Sequence, residues 1–130
     1  LSRKPVTPTA RSNRFRGKGY VLIGPRTYSA SSMFAAMAKC FSDAIIVGDE
    51  TGMPSISNAD LSRYKLPHSG MHIYTILSIY YIPCAENDKD GVKPDVEVKM
   101  STEDLLEGRN RYLEYTIDLI KRETDQLKLQ

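Results

Sequence analysis

The sequence predicts an α/β fold, in which a strand–helix–strand unit is followed by an antiparallel hairpin and a C-terminal helix. Two short apolar runs, each bounded by glycine, flank a segment with helical periodicity. A run of β-branched and aromatic residues then follows the turn signal PHSG, and an amphipathic helical pattern occupies the C-terminal region. At 130 residues the chain is long enough for one domain at most.

The first half predicts two strands joined by a helix. Residues 19–24, GYVLIG, form a continuous apolar run typical of a strand buried on both faces. A helix is predicted from Ser29 to Phe41, with a core-facing stripe at helical spacing: Met33, Phe34, Met37, Ala38 and Phe41. Residues 44–47, closed by Gly48, predict the second strand, so the order of elements favours a βαβ unit.

The middle of the chain predicts a hairpin. Residues 49–58 are rich in turn-forming types and predict a loop. Strands are predicted over 61–66 and 71–82, joined by a turn at 67–70, and the odd positions of the second strand form its more apolar face. Residues 83–94 predict a further loop.

The C-terminal region predicts two helices. Ser101 is followed three residues later by Asp104, which resembles a capping box. Leu105 and Leu106 are expected to face inward, and Gly108 to end this helix. An amphipathic pattern predicts the last helix from about 110 to 125, followed by a frayed tail.

Composition and charge restrict the function classes. Apolar residues make up 41% and charged residues 26% of the chain, and no apolar run is long enough to span a membrane. Residues 1–18 carry six Lys or Arg and no acid. We interpret them as an irregular, solvated basic segment and not as a nucleic-acid contact, because no aromatic interleaving or RNA-binding signature accompanies the charge.

Few residues suit a metal or a cofactor, and we predict neither. Cys40 and Cys84 allow at most one intrachain disulfide, and the sequence leaves open whether they are bonded. His68 and His72 are the only histidines, and they lack metal-ligand neighbours at usable spacing. The acidic stretch at 49–51 is interpreted as a strand-ending loop, since neighbours along an extended chain point to opposite faces.

Three serines crowd the start of the first predicted helix, at positions 29, 31 and 32. A hydroxyl at the first position of a helix meets unpaired backbone N–H groups and the positive end of the helix dipole. Those features suit an ordinary cap, and they also stabilise an oxyanion beside a nucleophile. The motif is not the G-x-S-x-G elbow, so the pattern alone leaves both readings open.

Four segments occur in order between Thr27 and Val98: TYSASSMFAAMAK, AIIVGDETG, KLPHSG and DGVKPDVEV. Together they resemble the tail-specific, or C-terminal processing, serine peptidases, whose members show T-x-S-A-S-E-like, G-E-x-T-x-G, L-P-x-S-G and G-V-x-P-D segments. The resemblance implies a serine endopeptidase that cleaves polypeptides. It also implies the β-β-α spiral of ClpP and crotonase-like proteins, with residues 19–130 as the C-terminal half of the catalytic domain.

The resemblance implies roles for two adjacent residues. Ser29 takes the nucleophile position, and the N–H of Ala30 is an oxyanion-hole donor. The processing branch pairs its serine with a lysine, but Pro54 stands where that lysine is expected, and no lysine occurs from Val47 to Tyr64. Ser32 also replaces the usual glutamate.

These departures favour a tricorn-like branch without the catalytic lysine. There a histidine from the first half of the domain activates the serine, and an acidic residue before G-V-x-P-D assists it. Glu86 and Asp88 are both candidates for the acidic role, and the sequence leaves the choice open. The general base would then come from an N-terminal part that this chain lacks, and the 130 residues alone are expected to be inactive.

The resemblance has three further implications. Open strand faces predict a partner, either the missing N-terminal half of the same domain or a second copy. Family members usually work outside the cytoplasm, so an extracytoplasmic location is expected. The alternative function, suggested by the missing lysine and by Ser32, is a catalytically inactive peptidase-like module that binds or scaffolds.

Overall fold

The computed structural model describes residues 9, 12–83, 87 and 89–128. Within these residues the elements are β1 Tyr20–Ile23, α1 Ala30–Phe41, β2 Ile45–Gly48, β3 Ile56–Lys65, β4 His72–Tyr81, β5 Val96–Glu97, α2 Thr102–Leu106 and α3 Arg111–Lys128. None of the described helices is both long and apolar enough to cross a membrane. The α/β class is confirmed, whereas the ClpP and crotonase-like spiral stays a prediction.

The first sheet is parallel and has the order β1–β2–β5. Tyr20 pairs with Ile45 at one end of β1, and Val47 pairs with Val96 of β5. The predicted βαβ unit is therefore confirmed. The strand β5 is not among the predicted elements, because two residues carry no periodicity that could indicate a strand.

The helix α1 lies against this sheet through small side chains, and the predicted core-facing stripe is only partly right. Met33 and Ala38 pack against the core, whereas Phe34, Met37 and Phe41 are exposed. Its buried residues are Ser32, Ala35 and Ala36. Phe34 and Phe41 are 63% and 73% exposed. Small residues let the helix axis approach the strands closely, and the larger Phe34, Met37 and Phe41 side chains lie away from the sheet.

The core forms between α1, the parallel sheet and the loops at its edge. Its members are Ile23, Ala35, Ala36, Ile46, Met53, Ile82 and Val92. Asp95 fastens the last loop to this core, since its carboxylate accepts the N–H of Ile46 at 2.9 Å and pairs with Lys39 at 3.0 Å. The K-P-D part of the fourth marker segment thus has a structural role.

The strands β3 and β4 form a separate antiparallel hairpin, as predicted. However, β3 starts at Ile56, inside the predicted loop 49–58, because it continues the pairing as far as the end of β4. Large apolar side chains of the hairpin are exposed: Leu61, Tyr64, Ile73, Tyr74, Ile76, Leu77, Ile79, Tyr80 and Tyr81. The hairpin therefore extends away from the core with apolar side chains on both faces.

The C-terminal helices differ in part from the expectation. The capping box of Ser101 and Asp104 is confirmed. Leu105 and Leu106 are 66% and 82% exposed, so the expected inward orientation is wrong. Asp104 is the buried residue of this five-residue helix, and a short helix that turns Asp104 inward points its neighbours outward.

The last helix, α3, covers the parallel sheet and runs three residues further than predicted, to Lys128. Glu123 fixes it to the sheet by accepting hydrogen bonds from Tyr20 and Lys18. The hydrogen bond from Tyr20 is the main reason that the pKa of Glu123 lies below its ordinary value. The contact joins the C-terminal helix to the first strand.

Candidate functional site

Ser29 stands at the junction between the turn after β1 and the start of α1. It is the N-cap residue of α1, with φ 55° and ψ −126°, a region that non-glycine residues rarely adopt. Such a conformation costs about 1–3 kcal/mol and persists only where the surroundings impose it. The Ser29 side chain is exposed, and its hydroxyl makes no capping hydrogen bond. The hydroxyl is thus left open to a reaction partner.

A buried serine holds this turn in shape. The hydroxyl of Ser32, fully buried, donates to the carbonyl of Thr27 at 3.0 Å. The hydroxyl of Thr27 in turn accepts the N–H of Gly24 at 3.0 Å. Ser32, which departs from the marker pattern, therefore supports the turn and does not point into the site.

The loop after β2 contacts the same turn closely. The N–H of Gly52 donates to the carbonyl of Thr27 at 3.1 Å. A Cβ atom at Gly52 would lie 2.1 Å from the carbonyl oxygen of Pro25, so only glycine fits this approach. The G-D-E-T-G segment thus fixes the conformation of the residues that precede Ser29.

Met53, beside Pro54, contacts the candidate nucleophile directly. Its thioether sulfur accepts the backbone N–H of Ser29 at 3.1 Å, and the side chain is buried. Among the described residues, the N–H of Ala30 has no hydrogen-bond acceptor. An open N–H at a helix start is suited to a developing oxyanion.

Two of the marker segments interlock next to this turn. A carboxylate oxygen of Glu50 accepts the N–H of Gly91 at 2.6 Å, and the hydroxyl of Thr51 accepts the N–H of Val92 at 2.8 Å. A Cβ atom at Gly91 would lie 2.1 Å from the carbonyl oxygen of Thr51. The side-chain oxygens of Glu50 and Thr51 therefore bind the backbone of the loop that follows β4. These hydrogen bonds explain the residue types at positions 50 and 51 without a metal.

The predicted acidic residues fall in that loop. Glu86 and Asp88 lie outside the described residues, so both stay predictions. Ser55 shows where the loop is attached, because its N–H and hydroxyl donate to the carbonyl of Asp90 at 2.9 and 2.6 Å. The loop that contains both candidates thus ends next to the segment that holds Ser29.

A cavity of about 440 Å³ opens at Ser29. Ser29 and Ala30 line it, together with the apolar face of α1 on one side and the base of the hairpin on another. Its lining residues are Tyr28, Ser29, Ala30, Met33, Phe34, Met37, Met53, Ser57, Asn58, Ala59 and Tyr80. The volume is within the range of ligand-binding pockets, and the lining is mainly apolar with a few polar groups, as in such pockets.

Most of this cavity is not predictable from the sequence. The stripe of large residues on α1 is a visible signal, but its helical spacing predicts a core-facing surface. No periodicity could have linked Asn58 or Tyr80 to Ser29, because the hairpin approaches α1 through tertiary structure alone.

A second cavity, of about 460 Å³, lies on the other side of the turn, towards α3. Asp49 and Tyr112 contribute to its lining. Burial, with a smaller effect from Asp49, raises the pKa of the Tyr112 phenol. The phenol is therefore neutral and able to donate a hydrogen bond at physiological pH.

The histidines of the chain lie far from Ser29. His72 begins β4 and His68 lies in the hairpin turn, whereas the β4 residue that lines the cavity is Tyr80. Eight residues of extended strand separate His72 from Tyr80, which is about 26 Å at 3.3 Å per residue. Neither histidine can reach the Ser29 hydroxyl from the hairpin tip.

A family model described as peptidase family S41 matches residues 2–98 of the chain. A search of curated proteins finds no match. The matched residues include Ser29, the interlocked marker segments and the whole hairpin.

Proposed function

The chain belongs to peptidase family S41, a family of serine peptidases, and we propose that it is the part of a serine endopeptidase domain that carries the nucleophile, Ser29. The family implies a polypeptide substrate and a hydrolytic reaction. The observation that carries the proposal is the strained, uncapped Ser29 in the lining of a cavity. Serine nucleophiles on sharp strand-to-helix turns have this arrangement.

The proposed reaction proceeds through an acyl-enzyme. The Ser29 oxygen attacks the carbonyl carbon of the scissile bond and gives up its proton to a general base. The Ala30 N–H donates to the oxyanion of the tetrahedral intermediate. The C–N bond then breaks, the leaving amine takes a proton, and water releases the acyl group and restores the hydroxyl.

We propose that the general base comes from outside the described residues. Pro54 cannot accept a proton, and the histidines on the hairpin are too distant. Lys39 is occupied by Asp95 and by the carbonyl of Lys93. A tricorn-like histidine with Glu86 or Asp88 as its acidic partner agrees with these facts, and so does a C-terminal-half assignment for residues 19–130.

Exposed apolar surface supports a partner for this chain. Both faces of the hairpin carry exposed aromatic and aliphatic side chains, and Leu106 of α2 is 82% exposed. We propose that the N-terminal half of the same domain, or a second copy, covers part of this surface. The disulfide bond of Cys40 favours an oxidising, extracytoplasmic location.

A fluorophosphonate probe on the full-length protein tests the nucleophile assignment. We expect a single labelled serine, identified as Ser29 by peptide mapping, and no labelling of the Ser29→Ala variant. Ser31→Ala is the matched control, since Ser31 is also exposed and lies two residues away on the first turn of α1. Labelling that survives Ser29→Ala contradicts the assignment.

The second candidate function is a catalytically inactive module that keeps the fold for binding or scaffolding. Pro54 at the expected lysine position is the observation that favours it. Hydrolysis of a casein substrate by the full-length protein, lost in Ser29→Ala, would exclude it. A folded protein that neither reacts with the probe nor cleaves casein would support it.

A further inference from the structure

The cavity at Ser29 has two walls of different origin. One is the apolar face of α1, with Met33, Phe34 and Met37. The other is the base of the hairpin, with Ser57, Asn58, Ala59 and Tyr80, and here Tyr80 is the one large side chain. The width of the cavity opposite α1 therefore depends on the hairpin side chains, and mainly on Tyr80.

An unusual strand conformation supports the position of Tyr80. Asp60 has φ 56° in the middle of β3, although it is not glycine. Its carboxylate accepts a hydrogen bond from the hydroxyl of Ser78 and a longer one, at 3.4 Å, from that of Tyr80. Asp60 thus faces the same side of the hairpin as Tyr80 and holds the phenol end of its ring.

The neighbouring tyrosine provides a natural comparison. Tyr80 pairs with Ser57, and both line the cavity. Tyr81 pairs with Ile56, and neither lines it. Because successive residues of a strand point to opposite faces, Tyr81 lies on the side of the hairpin away from the cavity.

We propose that this cavity binds one large apolar side chain of the substrate, that of the residue whose carbonyl Ser29 attacks, and that Tyr80 determines this specificity. The inference rests on the proposed function. The side chain bonded to the α-carbon beside the attacked carbonyl is the one nearest to the serine oxygen, and Ser29 is one of the residues that line the cavity. Methionine, phenylalanine and tyrosine walls favour an apolar or aromatic side chain and disfavour a charged one.

Peptidyl diphenyl phosphonates test the inference on the full-length protein. The serine oxygen bonds to phosphorus and phenoxide leaves, so the side chain on the carbon bonded to phosphorus occupies the proposed subsite. We would measure inactivation rates for a phenylalanine and an alanine phosphonate of otherwise identical sequence. Discrimination by apolar pockets is about 10-fold or more per large group, so we expect at least about a tenfold preference for phenylalanine.

Variants of Tyr80 and Tyr81 test whether the preference for phenylalanine depends on Tyr80. Tyr80→Ala should reduce the phenylalanine-to-alanine ratio about tenfold, Tyr80→Phe should keep it within about threefold, and Tyr81→Ala should leave it unchanged. Both rates are measured on one preparation, so the ratio does not depend on the folded fraction. An equal ratio in Tyr80→Ala and Tyr81→Ala, or no preference in the wild type, overturns the inference.

A fluorophosphonate without a side chain tests the nucleophile assignment separately from the subsite assignment. If it labels Ser29 while the phosphonate ratio is near one, the subsite assignment is wrong and the nucleophile assignment stands. If it does not label Ser29, the proposed function fails, and the subsite fails with it.

Discussion

Two serines begin two helices in this molecule, and they use their hydroxyls in opposite ways. Ser101 has extended backbone at φ −83° and accepts the N–H of Asp104 at 3.1 Å, while the Asp104 carboxylate accepts the N–H of Ser101 at 3.0 Å. Ser29 has φ 55° and makes no such bond. The Ser101 hydroxyl caps its own helix, whereas the Ser29 hydroxyl makes no capping bond and belongs to a residue that lines a cavity.

The difference lies in what surrounds each turn and not in the residue type. A serine with extended backbone can cap, and its neighbours complete the box. At Ser29 the surroundings impose a backbone conformation in which the hydroxyl does not cap the helix. They are the loop that contains Gly52 and Met53, and the buried Ser32. A strained conformation kept by several contacts is typical of functional sites.

The largest difference between the two serines should appear in catalysis. Ser29→Ala removes the oxygen that we propose as the attacking atom, so we expect peptidase activity of the full-length protein to fall by more than about a thousandfold. Ser101→Ala should keep activity per folded molecule within about twofold, because it changes only a helix end. Hydrolysis of a fluorogenic peptide, normalised to folded protein, provides the measurement. A similar loss in both variants would contradict the separate roles.

The next largest effect should come from the loop that imposes the Ser29 conformation. A Cβ at Gly52 cannot fit 2.1 Å from a carbonyl oxygen, so Gly52→Ala must move the backbone of the loop or of the turn. We expect a loss of roughly 2–4 kcal/mol in the free energy of unfolding, at the upper end of single substitutions, together with slower fluorophosphonate labelling. Urea unfolding and labelling rates measure both effects.

Gly19→Ala is the control for that prediction. Its Cβ would meet Ala44 at 3.6 Å, an ordinary contact, so unfolding should change by less than about 1 kcal/mol. If Gly52→Ala lowered the free energy of unfolding as little as Gly19→Ala, the loop that contains Gly52 would not be what fixes the conformation of the turn before Ser29.

The capping box at Ser101 is predictable from the sequence, whereas the backbone conformation of Ser29 is not. Local signals predicted the Ser101 box, the βαβ unit and the hairpin, since caps, periodicity and turn residues act over a few positions. The φ of Ser29 depends on contacts from Met53 and Gly52, more than twenty residues away in the chain. No local pattern carries that information.

Packing explains the remaining errors. The α1 stripe was assigned to the core because large apolar residues usually are buried, but the helix approaches its sheet through Ala35 and Ala36. Three residues of the stripe, Met33, Phe34 and Met37, line the cavity. Likewise, the hairpin was predicted as a local unit, whereas its approach to α1, through Tyr80, is a tertiary contact.

A smaller effect should distinguish the two serines in stability. Loss of a helix cap costs about 1 kcal/mol, so Ser101→Ala should reduce the free energy of unfolding by about that amount. Ser29→Ala removes no cap and should change stability by less than about 0.5 kcal/mol. Urea unfolding of the two variants in parallel makes the comparison. A loss of 1 kcal/mol or more in Ser29→Ala would mean that its hydroxyl supports the fold.

The smallest effect is the pH dependence of the Ser101 box. The hydrogen bond from the Ser101 backbone, with help from its side chain and from nearby Arg109, lowers the pKa of Asp104 below the ordinary value of 3.8. Ionised Asp104 therefore stabilises the folded chain. That contribution is complete above the unfolded-state pKa and is lost as pH falls through the lower folded-state value.

The free energy of unfolding should therefore differ between the wild type and Asp104→Asn by a constant amount above about pH 5, and by less as the pH falls below 4. Other carboxyl groups titrate in both proteins and cancel in the difference. Within residues 12–83, 87 and 89–128, no carboxylate pairs with the Ser29 side chain, so the difference between the wild type and Ser29→Ala should stay flat over the same range. Urea unfolding at several pH values measures both curves, and a flat curve for Asp104→Asn would show that its ionised form does not stabilise the helix start.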